Sequence, residues 1–207
     1  MLILASASPR RSQLLAQAGF TFEVRPAHIP EDPLPGEDPI AYVTRLAREK
    51  AQVVFDQIAA GAPNQSVNVA APCAIDIQTL AVLGADTTVT LDEQILGKPE
   101  DASDAARILR MLSGRSHRVI TGVALVTHEA IEVAAEVTAV QFLTLSEEEI
   151  AAYIATGEPM DKAGAYGIQG LAARWIPRVE GCYFNVMGLP LALVASMLEG
   201  RGFSAPH

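Results

Sequence analysis

Runs of apolar residues mark the strands of this chain. Short, continuous runs at residues 2–5 and 80–91 predict two buried strands, and the second is interrupted at Gly84, Ala85 and Asp86. Two β-branched stretches, at residues 119–126 and 130–143, predict two further strands joined by a short polar turn. Because the turn is short, these two strands are expected to pair in the antiparallel sense.

Residues that start and stop helices bracket the segments between the strands. Ser8 and Pro9 fit the N-cap and first turn of a helix that ends before Gly19. Ser146 and Glu149 have the spacing of a capping box. Helices are predicted at residues 9–18, 39–60, 101–112, 147–156 and 190–199.

The order of these elements predicts the fold class. Strands alternate with helices, but a hairpin stands in the middle, so an α/β fold with a mixed sheet is favoured over a purely parallel one. Residues 61–79 have no clear period and are expected to form a surface loop excursion. No repeat, low-complexity tract or step in composition divides the chain, so residues 1–207 are expected to form a single domain.

Composition and charge exclude several classes of protein. Half of the residues are apolar and only 19% are charged, which is too apolar for a disordered chain. The net charge of -9 should repel nucleic acid backbones and anionic lipid, and 5% aromatic residues leave few rings for stacking bases. We therefore expect neither a nucleic acid partner nor a membrane.

The amino terminus and the cysteines predict a cytoplasmic protein. The apolar stretch at the amino terminus is shorter than a signal sequence requires, and no window has the 18 or so apolar residues of a membrane-spanning helix. Cys73 and Cys182 belong to no C-x-x-C motif or Cys/His cluster. In a reducing compartment both are expected to be unpaired structural residues.

The loop between the first strand and the first helix is a candidate anion site. Ser6, Arg10 and Arg11 lie where free backbone N–H groups and the positive end of a helix favour an anion. Guanidinium groups also bind phosphate oxygens in a bidentate manner. The alternative is an ordinary capped helix with two solvated arginines.

Two charged residues fall in apolar patterns. Lys50 lies on the apolar stripe of the second predicted helix. Either its aliphatic side chain lies along the core and its ammonium extends to water, or the ammonium has a partner carboxylate or phosphate. Asp86 interrupts a buried strand, where an ionised carboxylate needs a cation or hydrogen-bond donors. Metal binding and general-base chemistry both suit Asp86, and a loop-capping carboxylate is the alternative. Glu31 and Asp32 are either a second acidic ligand or solvated loop charges.

Two glycine-containing turns are candidate binding segments. Lys98 lies in a constrained turn, and Lys162 and Gln169 flank three glycines in DKAGAYGIQG. Backbone that allows close approach, beside a cation and an amide, suits recognition of a base or a phosphate, although such segments are often only turns. His117 has no nucleophile-elbow context and is expected at the surface or at a strand edge.

Seven segments taken in order resemble the motifs of the Maf family of nucleoside triphosphate pyrophosphatases: SASPRR, RLAREKA, GADTTV, GKP, SGRSHRVITG, DKAGAYGIQG and NVMGLPL. The resemblance runs from residue 2 to about residue 198 and fails only at 61–79, where this chain carries extra loop. It implies an elongated α/β fold, with helices flanking a mixed sheet and a cleft between two lobes, often in a homodimer.

The same resemblance implies hydrolysis of a nucleoside triphosphate to its monophosphate and pyrophosphate with Mg²⁺ or Mn²⁺. Asp86 would accept the proton of water and would bind the metal together with Glu31, or with Asp32 in its place. The triphosphate would be held by Ser6, Arg10, Arg11, Lys50 and Lys98.

Three positions resemble the branch of the family that acts on thymine and uracil nucleotides. That branch carries Arg, Thr and Gln at the positions of Arg10, Thr87 and Gln169, whereas the branch acting on 7-methylguanosine triphosphate carries Trp, Gln and Glu. The Gln169 amide matches the O4 acceptor and N3–H donor of uracil, although a flipped amide could read cytosine. We therefore expect dTTP and UTP as substrates; the alternatives are a preference for modified nucleotides and a nucleotide-binding regulator of septum formation without turnover.

Overall fold

The computed structural model describes residues 1–61 and 76–204. Seven strands form one sheet within these residues, in the order β2-β1-β3-β5-β6-β7 with β4 paired to β3. The strands are β1 (Leu2–Leu4), β2 (Glu23–Val24), β3 (Ala81–Leu91), β4 (Gln94–Leu96), β5 (Ser116–Thr127), β6 (Ile131–Gln141) and β7 (Arg178–Glu180).

The sheet is mixed, as the order of elements predicted. β1 is parallel to β2 and to β3, whereas β3, β5, β6 and β7 pair in antiparallel fashion. β5 and β6 form the predicted hairpin, and their pairing runs from Ser116 opposite Gln141 to Val126 opposite Ile131. The α/β fold class is confirmed.

The five predicted helices are present with bounds that differ by one residue, and a further short helix at Tyr183–Met187 was not predicted. Asp38 caps α2 by accepting hydrogen bonds from the N–H groups of Ile40 and Ala41, and the capping box of Ser146 and Glu149 is formed at α4. The helices are α1 (Pro9–Gln17), α2 (Pro39–Ala59), α3 (Ala102–Leu112), α4 (Glu147–Ala155), α5 (Tyr183–Met187) and α6 (Leu191–Glu199).

Short elements escaped the sequence analysis. Strands of two or three residues, such as β2, β4 and β7, are too short to show a period. The β3–β4 turn uses positive φ at Asp92 and Glu93 rather than a glycine. Short 3₁₀-helices form at Ile77–Thr79, Glu158–Asp161, Ala163–Ala165 and Leu171–Trp175.

Two sequence expectations fall largely outside the described residues. The loop excursion at 61–79 is described only at residue 61 and from residue 76 onward. Cys73 also lies outside the described residues, so its lack of a partner stays a prediction. Among the helices that the structure describes, none is both long and apolar enough to cross a membrane.

Two glycines bring α2 close to the sheet. A Cβ atom at Gly84 of β3 would lie 2.1 Å from the carbonyl oxygen of Ala47, and one at Gly122 of β5 would lie 2.4 Å from that of Val43. Any side chain at either position would therefore push α2 off the sheet. This close packing places Lys50 of α2 over Asp86, the strand residue two positions after Gly84.

Apolar residues cover the sheet on both faces. One cluster packs under α2 and includes Ala47 and Val54, and a second packs under α1 and α6 and includes Leu14 and Val194. A third forms where α3 and α4 meet the far ends of β3 and β5. The middle of β3, with Asp86, lies between these clusters.

Candidate active site

One cleft of about 810 Å³ is lined by ten of the residues predicted for the site, and Asp32, the alternative to Glu31, is not among its lining residues. Its volume is in the range of pockets that bind small molecules. The ten residues come from loops, from α1 and α2, and from β3, so the fold assembles them from distant parts of the chain. They are Ser6, Arg10, Arg11, Glu31, Lys50, Asp86, Thr87, Lys98, Lys162 and Gln169.

One side of the cleft, here called the carboxylate wall, consists of Glu31, Lys50 and Asp86. The ammonium of Lys50 lies 2.6 Å from Oδ1 of Asp86 and 2.5 Å from Oε1 of Glu31. Lys50 and Asp86 are only 7% and 8% exposed, whereas the Glu31 side chain is half exposed. Lys50 is therefore a buried cation that joins two carboxylates, rather than a stem that extends to water.

Burial and charge act in opposite directions on the two carboxyl groups. Burial raises the pKa of Asp86 above its ordinary value, although the charges of Lys50 and Arg11 oppose the shift. Burial also raises the pKa of Glu31, but the hydrogen bond and the charge of Lys50 outweigh it and the net pKa is lowered. Asp86 is thus the stronger base of the pair.

A hydrogen-bonded brace, which the sequence analysis missed, holds Glu31 at the cleft. Arg45 of α2 binds both carboxylate oxygens of Glu37, at 2.6 and 2.8 Å, and donates to the backbone carbonyl of Asp32 at 3.1 Å. The Tyr42 hydroxyl donates to the backbone carbonyl of Glu31 at 2.8 Å. These contacts fix the proline-rich loop on α2, and among the described residues the cleft lining includes Glu31 and omits Asp32.

Arg11 is tied to the protein by most of its donors. Its Nη1 donates to Oγ of Ser6 and to the carbonyl of Ala85, its Nη2 to Oγ1 of Thr87, and its Nε to the carbonyl of Gly188, at distances from 2.8 to 3.2 Å. Burial lowers the pKa of this guanidinium, but an arginine remains charged at any physiological pH. Arg11 therefore joins the loop before α1 to β3 and to the end of α5.

The opposite side of the cleft, here called the glycine-rich wall, consists of residues 158–170. Glu158 holds it together, because its carboxylate accepts from the Tyr153 hydroxyl at 2.9 Å and from the N–H of Leu171 at 3.2 Å. A Cβ atom at Gly170 would lie 1.7 Å from this carboxylate, which explains the glycine. No motif pointed to Glu158, since its role depends on a segment of irregular backbone.

The cations and the amide near the glycine-rich wall differ in how firmly they are held. The Lys162 ammonium binds the carbonyl of Glu158 at 2.6 Å and the carboxylate of Asp161 at 2.5 Å. Arg10 is half-buried and lies 3.8 Å from Asp161. Gln169 and Lys98 are exposed in the cleft. The glycine-rich wall therefore presents one secured cation, Lys162, and one exposed amide, Gln169, with Arg10 and Lys98 nearby.

His117 is not a surface residue, and that expectation was wrong. It is 2% exposed, and its Nε2 is 2.8 Å from the hydroxyl of Tyr166, which lines the cleft. β5 begins three residues before its predicted start, and the exposed–buried–exposed alternation at its first residues turns His117 into the core. Burial lowers the pKa of His117 to about 4, so the imidazole is neutral at physiological pH.

Comparisons with known proteins agree with the motifs in the sequence. A family model described as "Maf-like protein" matches residues 1–201. A protein of Koribacter versatilis named dTTP/UTP pyrophosphatase is 52% identical over 201 residues, which cover 97% of this chain and 94% of that protein. A protein of the same name from Chromobacterium violaceum is 47% identical over 99% of this chain and 96% of its own length. Another from Shigella sonnei is 48% identical over 96% of this chain and 91% of its own length. This chain belongs to the Maf family.

Proposed function

We propose that this protein is a nucleoside triphosphate diphosphatase that hydrolyses dTTP and UTP to the nucleoside monophosphate and pyrophosphate. The observation that carries the proposal is a buried carboxylate, Asp86, that shares a cleft with several cations. The cleft belongs to a chain that is 52% identical to a protein named dTTP/UTP pyrophosphatase. Likeness to that protein supports the reaction, and the cleft supports the residue roles.

Asp86 is proposed as the general base. Burial raises its pKa, which strengthens it as a proton acceptor, and Lys50 at 2.6 Å keeps the ionised form populated. Water activated by Asp86 would attack the α-phosphorus, and pyrophosphate would leave with the bridging oxygen. Negative charge grows on the leaving group, so cations that face it lower the barrier.

The triphosphate is proposed to lie between the two walls. Lys98 and Arg10 have charge that faces the cleft, and Lys162 adds a secured cation. Arg11 has one N–H group left after its four protein contacts, so it would contribute mainly its charge and the shape of the loop. Ser6, which accepts from Arg11 and from the N–H of Ser8, would line the phosphate site.

A divalent cation, Mg²⁺ or Mn²⁺, fits the chemistry of the carboxylate wall. Glu31 and Asp86 offer hard oxygen ligands. Oε1 of Glu31 and Oδ1 of Asp86 both contact the Lys50 ammonium, so the two carboxylates are close enough to share one cation. Among the described residues, no group of three or more His, Cys, Asp or Glu could hold a metal alone. The metal would therefore bind together with the substrate phosphates and would neutralise their charge.

The base preference is proposed to come from Thr87 and Gln169, with Arg10 nearby. Gln169 is exposed in the cleft, where its amide is free to pair with the O4 and N3–H groups of uracil or thymine. A carboxylate at this position would suit guanine donors instead. We therefore expect dTTP and UTP to be preferred over purine nucleotides and over CTP.

Assembly and location complete the proposal. We infer a single domain located in the cytoplasm, and the family resemblance adds a homodimer as the assembly to test. One sheet joins the first described strand to β7, which supports a single domain. Light scattering coupled to size-exclusion chromatography would give the mass in solution, for comparison with 21.9 kDa for one chain.

Pyrophosphate release from a panel of nucleotides tests the proposed function. The panel consists of dTTP, UTP, CTP, GTP and 7-methyl-GTP, each with and without Mg²⁺ or Mn²⁺. We expect the highest kcat/KM for dTTP and UTP, and activity only with metal. Preference for a guanine nucleotide would contradict the base assignment, and tight binding without turnover would indicate a nucleotide-binding regulator instead.

A further inference from the structure

The hydroxyl of Thr87 belongs to a chain of hydrogen bonds that leads from the cleft into the core. Nη2 of Arg11 donates to Oγ1 of Thr87 at 2.9 Å. That oxygen lies 2.9 Å from Oγ1 of Thr121 on the neighbouring strand β5. Thr121 in turn donates to the backbone carbonyl of Asn185 in α5 at 3.1 Å. Thr121 and Asn185 are fully buried, so water does not compete for these bonds.

The distances decide which way each proton points. A threonine hydroxyl has one proton and two lone pairs, and the proton of Thr121 is used at the Asn185 carbonyl. Thr87 must then donate its own proton to Thr121. The other acceptor within reach of Thr87, the carbonyl of Gly188, lies at 3.5 Å and already accepts from Arg11 at 2.8 Å. One lone pair of Thr87 is used by Arg11, and the other remains for a ligand.

The end of the chain is firmly held. Nδ2 of Asn185 donates to the carbonyl of Val119 at 3.0 Å and to Oγ1 of Thr138 at 2.9 Å. The Asn185 carbonyl also accepts from the N–H of Gly188 at 2.9 Å. Strands β5 and β6 and the C-terminal turn of α5 thus fix the carbonyl that receives the Thr121 proton. The hydroxyl of Thr87 cannot rotate without breaking a buried bond, which is costly in a dry environment.

We propose that Thr121 is a positioning residue that makes Thr87 an obligate hydrogen-bond acceptor toward the cleft and thereby favours uracil and thymine nucleotides over cytosine nucleotides. The inference rests on the proposed function. Uracil and thymine present an N3–H donor, whereas cytosine presents a lone pair at N3. A fixed acceptor pairs with the first and repels the second. Gln169 alone does not provide this discrimination, because its amide can flip.

Three variants separate this role from a merely structural one. Thr121→Val keeps the shape but removes the acceptor, so the Thr87 proton is free to turn into the cleft and meet cytosine N3. Thr121→Ser keeps the hydroxyl. Thr90→Val is the matched control, because Thr90 is a buried threonine on β3 whose hydroxyl has no partner among the described residues.

The readout is the ratio of kcat/KM for UTP to kcat/KM for CTP, with the melting temperature as the test of folding. We expect Thr121→Val to lower this ratio at least about 10-fold, since a mismatched polar group in a binding site costs that much or more. Thr121→Ser and Thr90→Val should keep the wild-type ratio. A folded Thr121→Val variant with the wild-type ratio would overturn the proposal, as would equal loss in Thr90→Val.

Two further measurements keep the test decisive. If Thr121→Val does not fold, Thr87→Val removes the acceptor itself and must lower the ratio, and an unchanged ratio there counts against the proposal. Affinities of non-hydrolysable α,β-methylene analogues of UTP and CTP give the same ratio without turnover. A wild-type protein that binds the UTP analogue selectively but releases no pyrophosphate would refute the proposed function and leave the role of Thr121 supported. Equal wild-type affinity for both analogues would refute the role of Thr121.

Discussion

The two walls of the cleft are built in different ways. The carboxylate wall rests on a long central strand and a helix, and its lysine and aspartate are buried and bound to each other. The glycine-rich wall is made of 3₁₀ turns and irregular backbone, and its amide Gln169 is exposed. Regular structure therefore holds Lys50 and Asp86, together with Thr87 on β3, whereas irregular structure presents Gln169, the second group proposed for base selection.

The difference has an energetic consequence. A charged group inside the protein must be paired, so Asp86 and Lys50 are held in place before any substrate arrives. Lys98 and Gln169 are exposed, and an exposed side chain that a ligand immobilises loses conformational entropy, which lowers the affinity it supplies. Changes in the carboxylate wall should thus affect turnover most, and changes in exposed groups should affect mainly KM.

The largest effect is expected for Asp86→Asn in the carboxylate wall. An amide cannot accept the proton of water, and a general base is worth about 10²- to 10⁴-fold. We expect kcat for dTTP to fall by that factor while nucleotide binding, measured by calorimetry, is retained. Near-normal turnover in a variant with an unchanged melting temperature would exclude Asp86 as the base.

The next effect concerns the support behind the glycine-rich wall. His117 is neutral when folded, with a pKa of about 4, whereas the unfolded chain has the ordinary value of 6.5. Between pH 4 and pH 6.5 the unfolded state binds more protons than the folded state, so the free energy of unfolding decreases as the pH falls. The contribution of the neutral His117 to that free energy is complete above pH 6.5 and is lost as the pH falls to 4. The loss is worth about 3 kcal/mol between pH 7 and pH 4.

Chemical unfolding of the wild type and of His117→Gln at several pH values measures this loss. The glutamine variant should be less stable at pH 7 but should lack the part of the pH dependence that His117 supplies. The free energy of unfolding of the wild type should therefore approach that of the variant as the pH falls. Parallel pH profiles for the two proteins would show that His117 does not titrate as the structure implies.

A smaller effect is expected for the outer carboxylate of the carboxylate wall. Glu31→Gln removes a proposed metal ligand, whereas Asp32→Asn changes the adjacent acid outside the cleft lining. With a non-hydrolysable dTTP analogue present, Mn²⁺ affinity measured by electron paramagnetic resonance should fall at least about 10-fold in Glu31→Gln, since even outer partners of metal ligands are worth that much. It should not change in Asp32→Asn. Equal affinities in both variants would remove Glu31 from the metal site.

The smallest effect is expected for the exposed cation Lys98. An exposed ion pair contributes at most about 1 kcal/mol, so Lys98→Ala should raise KM for dTTP no more than about 5-fold. The value of kcat should change little, because Lys98 is not held against the carboxylate wall. If kcat fell as much as in Asp86→Asn, the distinction between buried chemistry and exposed binding would be wrong.

How far the sequence predicted the site depended on the surroundings of each residue. Asp86 and Lys50 were found because a charge in an apolar pattern demands a partner, and the structure makes them partners. Thr87 was identified only through the family resemblance, since nothing in its local pattern marks it, whereas the neighbouring glycines already marked Gln169 as a candidate binding residue. Arg45 was missed because its role depends on where a proline-rich loop folds back on α2.

The fold shows the same division. The long strands and helices were predicted because each repeats its period several times. β1 has three residues and was found from its continuous apolar run, whereas the short strands β2, β4 and β7 have neither a period nor such a run. His117 was misplaced for a related reason: the polar residues that begin β5 hid the start of the strand.

Hydrolysis of dTTP in water enriched in ¹⁸O shows which phosphorus the water attacks, and the two walls are proposed to direct water to the α-phosphorus. Mass spectrometry would then locate the heavy oxygen in the products. We expect a single heavy oxygen in dTMP and none in pyrophosphate, and the same labelling at a much lower rate in Asp86→Asn. Heavy oxygen in pyrophosphate, or release of inorganic phosphate in place of pyrophosphate, would contradict this expectation.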